Sequence, residues 1–129
     1  MRKIYIGFSC SITSEELISY FDFDPAYPQF GSKFERLFAS DYVEPGAFEV
    51  YGKSEYPDEA FNASLLNDLF PFTPDPQIMK KIDFETVVSV FFVNVQNINM
   101  FVSDQISLIG SMEIEQYDFE IEKPNVILL

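Results

Sequence analysis

The sequence predicts a single α+β domain, spanning residues 1–129, in which helices pack on one face of a mainly antiparallel sheet. The chain has 129 residues, which suits one domain. Hydrophobic residues make up 47% of it, enough for a self-supporting core. The element order is strand, two helices, strand, helices and then several strands. Because this order lacks regular βαβ alternation, it favours α+β over a doubly wound fold.

The first part of the chain carries clear helix starts. Thr13 with Glu16, and Ser32 with Glu35, form two capping boxes. Each precedes apolar residues at helical spacing, which predicts a helix after each box. The predicted elements are a strand over 3–9, helices over 14–21 and 32–40, a strand over 47–53, and helices over 58–70 and 76–82.

Two predictions of burial come from this part of the chain. Leu17, Ile18 and Phe21 share one face of the first predicted helix, which indicates a buried face. Cys10 ends the first predicted strand and is expected to be a small buried hydrophobe. As the only cysteine, it excludes an intrachain disulfide, which suits a reducing cytosol.

The last third is rich in strand patterns. Residues 84–95 are nearly continuously hydrophobic, which is typical of a central strand buried on both faces. Strands over 100–103, 107–115 and 117–122 follow as an antiparallel meander. Gly110 inside a strand indicates a bulge or a close backbone approach. The apolar tail, 126–129, is expected to dock or to add a strand.

The charge balance restricts the class of partner. There are 21 acidic residues against 8 basic ones, a net charge of −13. Phosphates would be repelled, so nucleic acid is excluded as a default partner, and anionic membranes are disfavoured. Basic proteins are favoured through complementary fields. The alternative is that the acids only keep a protein with 15 phenylalanines dispersed.

Several kinds of chemistry lack their usual residues. The chain contains no histidine, which removes the usual general base and the commonest metal ligand. Neither a phosphate loop nor a dinucleotide fingerprint is present. We therefore expect no enzyme activity, no metal and no cofactor. The alternative is an enzyme working through carboxylates alone, which would need a deep cleft with two convergent acids of raised pKa.

The expected location is the cytoplasm. The apolar stretch near Met1 is too short for a signal peptide. The run from Val87 to Val95 contains polar residues and is too short to span a bilayer.

Two segments are predicted to bind the partner. In residues 112–122, acidic and apolar residues alternate, so strand faces project acids; the alternative is a solvated sheet face protected from aggregation. The loop over 21–30 combines acids with a tyrosine, which suits an interface; the alternative is an interhelix loop with core aromatics. The predicted partner-binding residues are Asp22, Asp24, Tyr27, Glu113, Glu115, Asp118, Glu120 and Glu122.

A third acidic patch has a structural explanation. Glu55, Asp58 and Glu59 lie at the predicted start of the third helix. The helix dipole favours acids at that position. We therefore predict a structural role for these three acids rather than partner binding.

The layout resembles a known family. The strand Lys3-Ile4-Tyr5-Ile6-Gly7 leads to a helix beginning Thr13-Ser14-Glu15-Glu16, and Ser107-Leu108-Ile109-Gly110-Ser111-Met112 stands near the end. Asp41-Tyr42-Val43-Glu44 corresponds loosely to the family's acidic aromatic motif. In these features the chain is similar to bacterial polymorphic-toxin immunity proteins of contact-dependent inhibition systems, among them the immunity protein 22 family.

The resemblance implies a function. An immunity protein would bind a cognate basic toxin, often a cationic nuclease, and occlude its active site. A monomer is favoured over an oligomer. The alternative binding function is an acidic nucleic-acid mimic, or an adaptor, that binds another basic protein.

Overall fold

The computed structural model describes residues 2–23, 25–26, 31–103, 105–114 and 125–129. Within these residues, one antiparallel sheet of six strands packs against four short α-helices. The predicted α+β class is therefore confirmed. The elements are β1 (Arg2–Ser9), α1 (Ser14–Ser19), α2 (Lys33–Phe38), β2 (Phe48–Gly52), a 3₁₀ turn (Lys53–Glu55), α3 (Ala63–Leu69), α4 (Pro76–Met79), β3 (Ser89–Asn94), β4 (Val102–Ser103), β5 (Ile106–Ile114) and β6 (Asn125–Leu128).

In the described part of the chain, the sheet ends at β2 on one side and at two short strands, β4 and β6, on the other. Its strand order is β2-β3-β1-β5, and two short strands share the outer side of β5. β4 pairs with the start of β5 and β6 with its second half. The expectation that the tail adds a strand is thus confirmed. At the opposite end, β2 pairs with β3 and has no second strand beside it in the described part of the chain.

Helices cover both faces of the sheet, which corrects the predicted packing on one face. The reason is the apolar character of the central strands on both sides. In β1, Ile4 and Ile6 enter one core and Tyr5 enters the other, and all three are buried. α3 and α4 contribute Leu66 and Ile78 to the first core, whereas α1 and α2 contribute residues such as Leu17 and Phe34 to the second. One helical layer would leave an apolar face in water.

β5 carries a bulge that reverses its faces. Ile6 pairs with Gly110 but Gly7 pairs with Leu108, so Ile109 has no partner of its own on β1. Since side chains alternate along a strand, one extra residue exchanges the faces. Before the bulge, Ile106 and Leu108 enter the core under α1 and α2; after it, Met112 and Ile114 enter the core under α3 and α4.

Gly110 also permits the close approach predicted for it. A Cβ at this position would lie 2.7 Å from Cγ1 of Ile78 and 3.0 Å from the carbonyl oxygen of Ile127. α4 and β6 therefore both approach β5 at a residue without a side chain.

β3 begins later than the hydrophobic run predicts. It starts at Ser89 rather than at residue 84. The side chain of Asp83 accepts a hydrogen bond from the Glu85 amide at 3.0 Å, and its carbonyl accepts one from Val87 at 3.0 Å. Asp83 therefore folds the first part of the run into a turn.

α3 also begins later than predicted. It starts at Ala63, and the Asn62 side chain caps it by accepting the Leu65 amide at 3.0 Å. Consequently Glu55, Asp58 and Glu59 precede the helix and do not occupy its first turn. The helix dipole, which falls off within a turn, does not account for these three acids.

Cys10 and Ile18 are exposed, which corrects both predictions of burial. β1 ends at Ser9, whose hydroxyl accepts the amides of Ser11 and Ile12 and turns the chain. Cys10 therefore leaves the sheet. In α1, Leu17 is fully buried, but Ile18 remains 42% exposed.

We predict that Gly110→Ala destabilises the fold by about 2 kcal/mol, because a methyl group there overpacks the contact with Ile78. Urea unfolding followed by circular dichroism measures the change. In an Ile78→Ala background, the same Gly110 substitution should cost less, since Cγ1 is gone. Equal costs in the two backgrounds would show that the contact does not limit this position.

Candidate protein-binding surface

An open pocket of about 350 Å³ lies beside the start of β2, and we name it the loop pocket. It forms where the segment between α1 and α2 meets the segment that precedes β2. Its lining residues are Phe21, Asp22, Phe23, Gly31, Ser32, Glu35, Tyr42, Val43, Pro45, Gly46 and Phe48.

Short backbone contacts close the segment between α1 and α2. Phe23 forms an antiparallel bridge with Ser32, and the Phe34 amide donates to the Tyr20 carbonyl at 2.8 Å. α2 then begins with the predicted capping box, in which the Glu35 amide donates to the Ser32 hydroxyl at 3.2 Å. Phe23 is thereby held at the mouth of the pocket.

Glu35 is a buried carboxylate that fixes the wall of the pocket. One oxygen accepts the Ser32 amide at 3.2 Å and the other accepts the Val43 amide at 3.0 Å. Gly31 has a left-handed φ of 67°, and a Cβ there would overlap the carboxylate of Glu35. Burial of a charged group is tolerated when such bonds satisfy it. Glu35 therefore links the start of α2 to the segment before β2.

Stacked aromatic rings form the base of the pocket. The ring of Phe21 stacks on Phe48, with centroids 4.0 Å apart, and on Phe34 at 4.6 Å. Stacking of aromatic rings adds to the energy of burial. The base is therefore a packed aromatic layer continuous with the core.

The rim presents two exposed aromatic side chains. Phe23 is 63% exposed and Tyr42 is 68% exposed. Asp22, also exposed, lies next to Phe23, and Glu44 follows two residues after Tyr42. Aromatic anchors beside charged groups are the composition of protein interfaces.

Tyr42 is held on both sides by its neighbours. The Asp41 amide donates to the Asn97 carbonyl at 3.0 Å, and the Asn97 side chain donates to the Asp41 carboxylate at 2.8 Å. On the other side, the Val43 amide is bonded to Glu35. The exposed side chain of Tyr42 is thus carried on a backbone that is hydrogen-bonded on both sides.

The structure separates the two predicted site residues that it describes. Asp22 lines the loop pocket beside β2. Glu113 is half-buried in β5, where it pairs with Lys3 and Asn125, and β3 and β1 lie between β2 and β5. The two acids therefore do not form one site. The other predicted residues, Asp24, Tyr27, Glu115, Asp118, Glu120 and Glu122, lie outside the described residues.

A second depression, of about 490 Å³, follows the free side of β2, and we name it the edge groove. It meets the loop pocket at Phe48, which lines both. Its lining residues are Ile18, Phe48, Glu49, Val50, Tyr51, Tyr56 and Leu69. Sequence reasoning missed this groove, because a strand pattern does not reveal which strand of a sheet lies at its edge.

Two tyrosines in the edge groove have raised pKa values. Burial raises the pKa of Tyr51, and the hydrogen bond that its hydroxyl donates to the Glu49 carboxylate raises it further. Burial also raises the pKa of Tyr56, followed by the charges of Glu55, Glu59 and Glu49. The negative charges of Glu49, Glu55 and Glu59 are therefore concentrated around the two tyrosines of the edge groove.

The carboxylates around these depressions differ in exposure and in hydrogen bonding. In the described part of the chain, no group of three or more His, Cys, Asp or Glu side chains could hold a metal ion. Glu35 has both oxygens engaged by amides, whereas Asp22 is exposed. A further depression, of about 480 Å³ between α3 and α4, has the basic Lys80 in its lining.

These features define an α+β domain with an acidic, aromatic-rimmed surface at one edge of its sheet. Comparisons with protein-family models, curated proteins and solved structures find no match. Among the helices of the described residues, none has the length and apolar character needed to cross a bilayer.

We predict that Glu35→Ala destabilises the fold by about 2 kcal/mol, because two buried amides lose a charged acceptor. Amide hydrogen exchange at Ser32 and Val43 should accelerate together. Glu35→Gln keeps one acceptor oxygen and should retain protection at one of the two amides. Unchanged exchange at both sites in Glu35→Ala would contradict this role.

Stability should fall as the pH rises above about 10, the ordinary tyrosine pKa. Because the pKa values of Tyr51 and Tyr56 are raised in the folded protein, the unfolded chain loses the two hydroxyl protons first. The contribution of these tyrosines to the free energy of unfolding is therefore fully present below that pH and is lost as the pH rises above it. Tyr51→Phe, which cannot ionise, should show a shallower decline. Urea midpoints measured across the alkaline range check this, and parallel declines in both proteins would contradict it.

Proposed function

We propose that this protein binds a basic protein and neutralises it without catalysis, as the immunity protein of a toxin in the cytoplasm. The observation that carries the proposal is the rim of the loop pocket. It presents Phe23 and Tyr42, both largely exposed, beside the carboxylate of Asp22. A monomer that exposes such a patch is typical of a protein with a binding partner.

The charge of the chain supports a basic partner. Its net charge is −13, which would steer a cationic protein toward it. One basic side chain near the loop pocket has an internal partner: the ammonium group of Lys33, at the start of α2, lies 4.2 Å from the centroid of the Tyr20 ring.

The family resemblance supports a toxin as that partner. The stretch that corresponds loosely to the family's acidic aromatic motif, Asp41 to Glu44, contributes Tyr42 and Val43 to the lining of the loop pocket. A nuclease active site binds phosphates through cationic side chains. Carboxylates such as Asp22 and Glu44 would take the place of those phosphates, and Tyr42 would contribute apolar contact.

The test is co-expression with the product of the neighbouring gene, followed by purification of the complex and an assay of nucleic-acid cleavage. Phe23→Ala and Tyr42→Ala should each weaken binding about 30-fold, as expected for anchor residues of an interface. Cleavage should return in parallel with the lost affinity. Stopped-flow association should slow as salt is added.

Asp22→Asn removes the negative charge and keeps the size of the side chain, so it tests charge without changing packing. We expect it to lower the association rate and to reduce its dependence on salt. Glu85→Gln is the matched control, since it removes one exposed carboxylate beyond the opposite end of β2 from the loop pocket. Equal effects of Asp22→Asn and Glu85→Gln on the association rate would show that the loop pocket is not part of the interface. A gene product that neither binds nor is inhibited would reject the function.

A further inference from the structure

The free side of β2 offers backbone groups for another strand. The Asn94 amide donates to the Ala47 carbonyl at 2.7 Å, and the Lys53 amide donates to the Val88 carbonyl at 2.9 Å. These bonds set the phase of the antiparallel ladder. Glu49 and Tyr51 therefore direct both their amides and their carbonyls toward β3, whereas Phe48 and Val50 direct theirs away from the sheet.

These outward groups have no hydrogen-bond partner among the described residues. Within the described residues, no hydrogen bond is made to the backbone of Phe48 or Val50 on the open side. β5, by contrast, has its outer side occupied by β4 and β6. β2 has neither the proline nor the lysine that commonly protects an edge strand.

The edge groove has walls on both faces of β2. Ile18 from α1 stands on one side and is 42% exposed. Tyr56 and Leu69 stand on the other. A strand laid along β2 would place alternate side chains against these two walls. The groove therefore combines backbone pairing with side-chain contact, as in β-strand addition.

The charges around the groove favour a basic strand. Glu49 is exposed within it, and Glu55 and Glu59 act on Tyr56 beside it. A second copy of this chain, paired through β2, would bring the same acids against each other. Like charges on neighbouring strands are unfavourable.

We infer that β2 accepts an extended basic segment of a partner protein as an added strand, held by the outward backbone groups of Phe48 and Val50. This inference identifies a mode of contact for the basic partner and rests to that extent on the proposed function. The groove can nevertheless be tested without the partner.

The probe is a capped peptide of alternating lysine and valine, added to the isotope-labelled full chain. Amide exchange at Phe48 and Val50 should slow by about tenfold or more when the peptide binds. A peptide of alternating glutamate and valine, matched in length, should leave both amides unchanged. No slowing with the basic peptide would overturn the inference.

Val50→Pro removes an outward amide and keeps the ladder with β3, because proline is tolerated where the amide faces solvent. It should abolish peptide binding. The control Val50→Ala shortens the same side chain, keeps the amide and should still bind. Peptide binding retained by Val50→Pro would overturn the inference. Should Val50→Pro fail to fold, amide exchange at Phe48 and Val50 of the unmodified chain, with and without the basic peptide, tests the inference.

Two outcomes separate this inference from the proposed function. If Phe23→Ala and Tyr42→Ala weaken binding of the neighbouring gene product while Val50→Pro does not, the inference of an added strand on β2 is wrong and the proposed function is retained. If the peptide slows amide exchange but the gene product does not bind, the proposed function is wrong, and the inference that the edge groove accepts a basic strand is retained. Slowed exchange on concentrating the chain alone would identify a second copy as the occupant and overturn the basic partner.

Discussion

Burial of β1 and β3 on both faces is the constraint from which the architecture follows. These central strands carry apolar side chains on each side, so neither face of the sheet can meet water. One pair of helices covers each face: α1 and α2 precede β2 in the chain, and α3 and α4 follow it. This arrangement places β2 at the margin of the sheet, between α1 on one face and the residues around α3 on the other. The candidate surface is thus a consequence of how two cores share one sheet.

The loop pocket depends on a polar group inside that apolar frame. The Glu35 carboxylate bonds the amides of Ser32 and Val43, which belong to different segments. Without this group, the segment before β2 would lose one of its attachments to α2. The exposed aromatics at the rim are therefore supported by a satisfied buried charge. The exposed rim and the ordered core are thus joined at one residue.

Local signals make much of the fold predictable. The capping signals predicted at Thr13 and Ser32 mark real helix starts: Ser32 forms the full capping box with Glu35, and the Thr13 side chain accepts the Glu16 amide. Gly110 indicates the bulge in β5 because a glycine has no side chain to pack inside a regular strand. The errors have two causes. Tertiary contacts decide the environment of Ile18, since the pattern of α1 does not show that this residue lies beside an edge strand. A local turn decides the start of β3, since hydrophobicity alone does not show that Asp83 accepts the Glu85 amide.

The candidate site is less predictable for the same reason. The acidic loop predicts Asp22, which does line a pocket, but Tyr42 reaches that pocket from a segment that lies beyond α2 in the chain. Only the folded chain brings the two together. The Glu35 carboxylate bonds only main-chain amides here, so these bonds do not depend on which side chains stand at positions 23, 42 and 44. Substitutions at those positions would therefore alter the shape and charge of the exposed surface while the two hydrogen bonds that fix its backbone stay in place.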